Sequence, residues 1–187
     1  MSVDAGADRR LLTVGHGTAG RAELTALLKG AGVELLVDVR RFPGSRRNPD
    51  VSSDALAEWV PAEGLDYRWE PRLGGRRRVA VADDQVDRWW KVAAFRGYAA
   101  HMRTPEFDEA LREVLAEVSG GRVVAVMCSE SLWWRCHRRM ISDAAVLLHG
   151  VGVGHLAHDG RVAPHVPAEG ARRVGEELFY PADPVRG

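Results

Sequence analysis

The chain has 187 residues, of which 45% are hydrophobic and 28% charged, and its formal net charge is zero. This length suits one ordinary domain with a full hydrophobic core. The balanced charge excludes a global field that would attract nucleic acid or a membrane surface. No apolar run approaches the roughly 18–20 residues that a membrane span needs. Residues 1–10 are polar and charged, which is not typical of a secretory signal peptide. We therefore expect a cytoplasmic protein without a stable disulfide.

The pattern of residues predicts one domain over residues 11–180, with a disordered lead at 1–10 and a tail at 181–187. In chain order, short apolar runs predict strands at Leu11–His16, Glu34–Val39, Leu65–Glu70, Arg122–Met127 and, as the last strand, Val151–Leu156. Between Arg41 and Pro49 the chain is too rich in turn residues for regular structure.

Amphipathic helices are predicted between these strands. The first follows Thr18, which can cap it, and the second runs from Ser53 to about Val60. Thr104-Pro105-Glu106 is a strong helix start, and Gly120-Gly121 ends that helix. The remaining helices are predicted over Gln85–Met102 (with Gly97 as a candidate interruption), after Cys136, and over Ala168–Leu178.

Continuous apolar strands separated by amphipathic helices indicate a parallel sheet covered on both faces. We therefore predict an α/β fold: a single-domain three-layer sandwich with a mainly parallel sheet of about five strands. The residues expected to be buried on this sheet include Leu36, Val37, Val124 and Val126. In such folds ligands bind beyond the carboxyl ends of the strands, so the residues that follow the strands are the candidates for function.

Arginines cluster in three of these segments. They are Arg40, Arg41, Arg46 and Arg47; Arg72, Arg76, Arg77 and Arg78; and Arg135, Arg138 and Arg139. Guanidinium groups bind phosphate and carboxylate bidentately, so clustered loop arginines favour an anionic ligand. The alternative is that they are solvated surface in an arginine-biased protein, which has only Lys29 and Lys91 as lysines.

The stretch from Val123 to Met140 holds both cysteines, Cys128 and Cys136. A thiol at a strand end, ahead of a helix N-terminus and near arginines, is a candidate nucleophile. We predict Cys128, Glu130, Cys136 and His137 as catalytic residues, with Glu130 or His137 as the proton carrier. We also expect a lowered pKa at Cys128, which would make it more reactive than Cys136. The alternative is that both cysteines only pack in the core.

A Cys-x5-Arg phosphatase or rhodanese loop would need arginine at position 134, which is Trp134. A zinc site built from Cys128, Cys136, His137 and either His16 or His155 is a further alternative. Because the side chains of adjacent residues such as Cys136 and His137 usually diverge, we predict neither a metal nor a cofactor.

The predicted substrate-binding residues share positions just after strands: His16, Thr18, Asp38, Arg40, Arg41, Ser45, Arg46, Gly74, Gly75 and Arg138. Several of them are expected to meet in one cleft. Alternatives remain open for three of these residues, because Asp38 and Arg40 could form a structural ion pair and His16 could be incidental to a helix cap. An aromatic stripe at Trp89, Trp90, Phe95 and Tyr98 could stack on rings, but core packing is favoured. Trp133 and Trp134 could wall a pocket or form an interface.

The motifs together resemble one family, the domain of unknown function 488 family, from about Leu12 to Leu156. The matching segments are "TVGHGT", "LLVDVRRFPGSRRNP", "LGG", "FRGYAAHM" and "VMCSES…CHRRMI". Two positions depart from the family pattern: Gly17 replaces a usual serine or threonine, and Ser129 replaces a usual alanine. The resemblance implies an α/β fold and little about chemistry.

Three hypotheses for function follow. The first is an enzyme that acts on an anionic, phosphate-bearing or nucleotide-like substrate in a strand-end cleft. The second is a non-catalytic nucleic-acid-binding or DNA-repair-associated module that uses the same arginine loops. The third is a thiol redox or metal-sensing protein built on Cys128 and Cys136. The expected partner is thus an anionic small molecule or a nucleic acid and not a membrane, while the oligomeric state stays open.

Overall fold

In the computed structural model the chain is described over residues 10–44, 47–78 and 85–182. The described strands are β1 (Arg10–Gly15), β2 (Leu35–Asp38), β3 (Asp66–Trp69), β4 (Val124–Cys128), β5 (Gly152–Leu156), β6 (Val162–Pro164), β7 (Arg172–Val174) and β8 (Glu177–Phe179). The described helices are α1 (Arg21–Gly30), α2 (Ser53–Ala62), α3 (Ala93–Met102), α4 (Pro105–Ser119) and α5 (Arg138–His149). The predicted lead and tail, apart from Arg10 and residues 181–182, lie outside the described residues, as do Ser45 and Arg46.

The main sheet has the strand order β3-β2-β4-β1-β5-β6. Its first five strands are mutually parallel, and β6 adds an antiparallel edge next to β5. The chain leaves β1 toward β2 on one side and later leaves β4 toward β5 on the other. The carboxyl ends of β1 and β4 therefore form the topological switch point, where open α/β sheets bind their ligands.

Successive side chains along each strand point to opposite faces of the sheet, and each face has its own hydrophobic core. On one face Leu12, Val14 and Leu36 pack with residues of α1 and α2. On the other face Leu11 and Val37 pack with residues of α3, α4 and α5. The three layers and the mainly parallel sheet are thus confirmed, and all four residues predicted to be buried on the sheet have no exposed surface.

Local signals set several helix boundaries. The Thr104 hydroxyl caps α4 by accepting a hydrogen bond from the Phe107 N–H at 3.3 Å, as its sequence predicts. The cap predicted at Thr18 is wrong, because α1 begins after Gly20. There the Glu23 carboxylate accepts the Gly20 N–H at 3.2 Å and stabilises the first turn.

The helix predicted over Gln85–Met102 is wrong in its first half, since α3 begins at Ala93. The preceding segment is held by the C-terminal part of the chain. The Asp87 carboxylate accepts the Tyr180 N–H at 2.9 Å, and Tyr180 C=O accepts the Trp89 N–H at 3.0 Å. Gly97 does not interrupt α3 but lies buried within it.

The helix predicted over Ala168–Leu178 is also wrong, because this segment contains the antiparallel hairpin β7–β8. Gly175 turns the hairpin with φ of +61°, a conformation that glycine adopts without steric cost. Leu178 anchors the hairpin in the core with 1% of its surface exposed. Strands therefore follow β5, which is not the last strand of the chain.

Candidate functional site

The ends of β1 and β4 are joined by hydrogen bonds that continue beyond the strands. The His16 N–H donates to Cys128 C=O at 2.9 Å, and the Gly17 N–H donates to Ser129 C=O at 3.0 Å. Side chains that follow these two strands are therefore held side by side at the switch point. This is where the strand-end rule predicts the site.

A cavity of about 420 Å³ opens at this edge of the sheet. It is lined by residues from the ends of β2 and β4, the loop after β3, the start of α3 and the segment before α5: Arg40, Arg41, Phe42, Gly75, Arg76, Ala94, Phe95, Tyr98, Cys128, Ser129, Glu130, Arg135, Cys136 and His137. We call it the strand-end cleft. All four predicted catalytic residues line it, but of the predicted binding residues that the structure describes only Arg40, Arg41 and Gly75 do so.

Two thiols and an imidazole meet at the floor of the strand-end cleft. Cys128 is the last residue of β4, and Cys136 follows the short 3-10 turn Trp133–Arg135. Nδ1 of His137 lies 3.5 Å from Sγ of Cys136 and 3.9 Å from Sγ of Cys128. All three atoms lie within 4.8 Å of one another. The expectation that the neighbouring Cys136 and His137 side chains diverge is therefore wrong. We call these three side chains the cysteine–histidine cluster.

The tautomer of His137 follows from its backbone contact. Nε2 lies 3.1 Å from the carbonyl oxygen of Val39, which can only accept a hydrogen bond. In the neutral ring Nε2 therefore carries the proton, and Nδ1 presents its lone pair. That lone pair faces the two sulfurs.

Arg138 distinguishes the two cysteines. Its Nε donates to Sγ of Cys136 at 3.5 Å, and its Nη2 donates to the carbonyl oxygen of Glu130. A hydrogen bond with Cys128 and the neighbouring Arg138 charge lower the pKa of the Cys136 thiol, whereas the contact with Cys136 and burial raise the pKa of Cys128. The predicted fall in the pKa of Cys128 is therefore wrong. The Arg138 guanidinium lies beside Sγ of Cys136 instead, and the spacing of these residues along the sequence does not predict this placement.

Arg40 belongs to a buried ion pair. Its Nε and Nη2 donate to the two carboxylate oxygens of Asp38 at 2.8 and 2.6 Å, and Nη2 also donates to Val51 C=O. Asp38 is fully buried and also accepts the hydroxyl of Tyr67 at 3.0 Å. The structural ion pair considered from the sequence thus accounts for both residues, and the Asp38 carboxylate does not reach the lining of the strand-end cleft.

His16 packs beneath the strand-end cleft rather than in it. Its Nε2 lies 3.2 Å from Nη1 of Arg40. Burial and the Arg40 charge lower the pKa of His16, so the imidazole is neutral near pH 7. Its Nε2 accepts a hydrogen bond from the Arg40 guanidinium. Thr18 is exposed outside the cleft. Five residues are predicted to converge on one cleft: His16, Arg40, Ser45, Cys128 and Arg138. Ser45 lies outside the described residues, Arg40 and Cys128 line the cavity, and His16 and Arg138 do not.

The two predicted glycines permit close approach. A Cβ on Gly74 would lie 2.7 Å from backbone N of Arg41, and one on Gly75 would lie 2.8 Å from Nδ1 of His137. Glycine at these positions lets the loop after β3 press against the loop after β2 and against the cluster. Gly74 therefore shapes the wall, and Gly75 lines it.

Two cleft arginines, Arg76 and Arg135, were not selected from the sequence. Within the described ranges neither side chain makes a hydrogen bond or ion pair. Arg76 has φ of +58°, unlike any other non-glycine residue that the structure describes, and such strain is concentrated at functional sites. Both arginines lie in clusters visible in the sequence, but periodicity cannot tell which cluster members face a cleft.

A buried polar chain behind the site was also missed. Thr13 Oγ1 lies 2.7 Å from Nδ1 of His155, whose Nε2 lies 2.9 Å from Nδ1 of His165. Nε2 of His165 lies 2.8 Å from the Asp143 carboxylate, which also accepts the Tyr180 hydroxyl. Trp133 stacks on the His155 ring at 3.9 Å between centroids. Trp133 therefore fixes the loop that carries Cys136, whereas Trp134 remains half exposed.

The fold and the site define an α/β protein with a sulfur- and imidazole-lined cleft at the carboxyl ends of parallel strands. The family model described as "Domain of unknown function DUF488" matches residues 21–145, well over half of the chain. The chain belongs to this family, which confirms the resemblance noted in its motifs. Searches of curated proteins and of solved structures found no match. No helix in the described ranges is long and apolar enough to cross a membrane.

Proposed function

We propose that this protein is an enzyme that binds an anionic, phosphate-bearing or nucleotide-like substrate in the strand-end cleft, with the cysteine–histidine cluster as its reacting centre. One observation carries the proposal. The side chains of Arg76 and Arg135, for which the described ranges show no hydrogen bond or ion pair, line the same cavity of about 420 Å³ as Cys128 and Cys136. A cavity of this size matches small-molecule sites, which commonly enclose roughly 300–1,000 Å³.

Anion binding is assigned to Arg41, Arg76 and Arg135. The described parts of the chain give Arg76 and Arg135 no hydrogen-bonding or ionic partner, and the Arg41 side chain makes one long hydrogen bond, 3.4 Å to Arg76 C=O. The guanidinium groups of Arg76 and Arg135 can therefore bind phosphate oxygens bidentately, whereas that of Arg41 also lies 5.4 Å over the Phe42 ring. Arg40 and Arg138 are less suited, since their guanidinium groups already bind Asp38 and the sulfur of Cys136.

The remaining wall of the strand-end cleft favours an organic anion over a bare inorganic one. Phe42 is 64% exposed at the rim, and the partly buried Phe95 lines the same cavity. Aromatic faces of this kind stack on planar rings such as nucleobases. Tyr98 also lines the cavity but is 1% exposed and packs against the His137 ring, so it offers no free face. The combination of arginines with aromatic rings supports a nucleotide-like ligand.

The cysteine–histidine cluster supports an enzyme rather than a binding module. The lone pair of His137 Nδ1 can accept a proton, and it faces the thiols of Cys128 and Cys136. A base within reach of a nucleophile is a recurring arrangement in covalent and acid–base catalysis. Glu130 lies exposed in the lining of the cleft and can carry a proton to and from solvent.

The binding part of the proposal is tested by isothermal titration of the full chain with pyrophosphate, adenosine diphosphate and a random single-stranded oligonucleotide. Arg76→Ala and Arg135→Ala should each weaken nucleotide binding by about tenfold or more, because a hydrogen bond to a charged group contributes roughly 1.5–3 kcal/mol. Arg112→Ala is the control, since Arg112 pairs with Asp108 on the exposed face of α4. Nucleotide binding that is unchanged in both cleft variants would contradict the proposal. Binding of the oligonucleotide alone would favour the nucleic-acid module.

The catalytic part is tested by phosphorus NMR of a panel of nucleotides and sugar phosphates incubated with the protein. Turnover should be lost in Cys136→Ala and kept in Arg112→Ala. Stoichiometric binding without turnover of any compound in the panel would reject the enzymatic part and retain the binding part.

A further inference from the structure

We infer that Cys128, Cys136 and His137 form a site for a zinc ion, with one coordination position open toward the strand-end cleft. This inference rests on the proposed function, because it names what the reacting centre holds. With the ion bound, the two thiolates and Nδ1 of His137 would serve as its ligands rather than as nucleophiles and base. It reverses the prediction from sequence that the site holds no metal.

The spacing of the three donor atoms fits tetrahedral zinc. With Zn–S of about 2.3 Å and Zn–N of about 2.0–2.1 Å, a tetrahedral ion holds S and N about 3.6 Å apart and two sulfurs about 3.8 Å apart. The two S–N separations in the cluster are 3.5 and 3.9 Å. The two sulfurs lie within 4.8 Å of each other, so a small side-chain adjustment brings all three atoms to bonding distance.

The hydrogen bonds open to the two sulfurs without an ion are weak and long. Sγ of Cys128 lies 3.9 Å from Oγ of Ser129 and 3.9 Å from Nδ1 of His137, and the two thiols also contact each other. Both sulfurs are nonetheless buried, with 7% and 5% of each residue exposed. A metal ion satisfies the two sulfurs and the nitrogen at once.

The surroundings of the cluster are those of a metal site. Metal-ligating histidines commonly donate the other ring N–H to a carbonyl or carboxylate, which fixes the tautomer. Nε2 of His137 does this with Val39 C=O at 3.1 Å. The Arg138 Nε contact to the sulfur of Cys136 would likewise stabilise a thiolate ligand. The contacts that would orient His137 and stabilise the Cys136 thiolate are therefore already in place.

Three protein ligands leave the fourth position for a small molecule. The other histidines considered from the sequence do not supply it: His16 contacts Arg40, and His155 contacts Thr13 and His165. Among the described residues the candidate ligand set is Cys128, Cys136 and His137. Zinc sites with three protein ligands are typical of catalysis, whereas structural sites have four. The fourth position faces the cleft, where it can take water or an oxygen of the anionic substrate.

The test uses the full chain, stripped of metal with a chelator and titrated with cobalt(II) under reducing conditions. We expect one cobalt per chain, with a sulfur-to-cobalt charge-transfer band and the intense visible bands of a tetrahedral ion. Zinc should displace the cobalt. Zinc should also copurify with the untreated protein, as measured by elemental mass spectrometry. A folded chain without thiolate–cobalt bands would overturn the inference.

Variants assign the ligands. Cys128→Ala, Cys136→Ala and His137→Gln should each lose cobalt affinity by more than the roughly 10–100-fold that losing a hydrogen bond to a ligand costs. Arg112→Ala should keep it, since Arg112 pairs with Asp108 on the exposed face of α4. Circular dichroism checks that each variant folds. A further variant carries both Cys128→Ala and Cys136→Ala. If it kept the cobalt bands and affinity of the wild type, the assignment of the two cysteines as ligands would be wrong, whether or not its fold had changed.

The two hypotheses fail separately. Arginine-dependent nucleotide binding without metal uptake overturns the zinc site and leaves the proposed function standing. Metal uptake without any arginine-dependent anion binding keeps the zinc site and rejects the proposed function.

Discussion

The guanidinium Nε of Arg138 donates to Sγ of Cys136 at 3.5 Å, one residue beyond the imidazole that faces both sulfurs. Arg138 is itself 1% exposed and is fixed by the carbonyl oxygen of Glu130. A fixed, buried positive charge beside one sulfur of a close pair makes the two thiols unequal. This asymmetry bears directly on their chemical reactivity.

In chelator-treated protein, iodoacetamide should label Cys136 several-fold faster than Cys128, because the Arg138 charge stabilises the Cys136 thiolate. The measurement is mass spectrometry of the two peptides over time. Arg138→Gln should reduce the difference, whereas Arg139→Gln should not, since the Arg139 guanidinium lies over the Trp89 and Trp90 rings. Faster labelling of Cys128 would show that the arginine does not set the order.

Gly75→Ala should disturb the cysteine–histidine cluster without replacing a ligand. The added Cβ would lie 2.8, 3.1 and 3.3 Å from Nδ1, Cγ and Cε1 of His137, so it would press on the ring and displace Nδ1. We expect cobalt affinity to fall by about 10–100-fold, as when a ligand loses the contact that orients it.

Gly30→Ala is the matched control, because a Cβ at that position meets nothing within 4 Å. It should leave cobalt affinity unchanged and raise stability slightly, by at most about 1 kcal/mol. Equal cobalt affinities in the two alanine variants would mean that the His137 ring does not need its present position.

Arg40→Met should destabilise the fold strongly, because it leaves the fully buried carboxylate of Asp38 without its cation. Removing one partner of a buried ion pair costs roughly 3–5 kcal/mol. Urea denaturation at neutral pH measures the free energy of unfolding. The control is Arg161→Met, whose partner Asp159 forms an exposed pair, and its unfolding midpoint should not move. Similar midpoints in the two variants would argue that Arg40 is available for substrate.

Acid should destabilise the protein through His155. Burial, His165 and Arg138 lower the pKa of His155 to about 3, whereas an unfolded histidine titrates near 6.5. Between these two pH values the unfolded chain binds one proton that the folded chain does not. The contribution of His155 to the free energy of unfolding is therefore complete above about pH 6.5 and is lost as the pH falls. The free energy of unfolding can change by up to about 1.4 kcal/mol per pH unit in this range.

Urea unfolding at a series of pH values between 4 and 7 tests this contribution, with about one pH unit between measurements. His155→Gln should flatten the dependence relative to the wild type. Thr13→Val should retain it, because that variant removes the hydroxyl at 2.7 Å but keeps the imidazole. An identical slope in His155→Gln would assign the acid sensitivity to other groups.

Several features of the structure follow from local sequence patterns, whose effect does not depend on distant parts of the chain. The apolar runs around Leu36 and Val124 fill both faces of a central strand, and this identifies a parallel sheet without further information. The start of α4 at Thr104-Pro105 depends on backbone groups within one turn. The strand-end rule then selects the correct edge of the sheet for Cys128 and His137.

The sequence by itself therefore determined the fold class, the family and the edge of the sheet that carries the candidate site. Only the tertiary structure decided which arginine serves which partner. Arg40 is bound to Asp38, Arg138 lies beside Cys136, and Arg76 and Arg135 face the cleft. The C-terminal hairpin and the short α3 also depend on contacts between distant segments, such as Tyr180 with Asp87. The physical reason lies in the two kinds of signal. Hydrophobic periodicity shows which face of a helix or strand is buried. The partner of a long, flexible, charged side chain depends instead on which distant segments the fold brings near it.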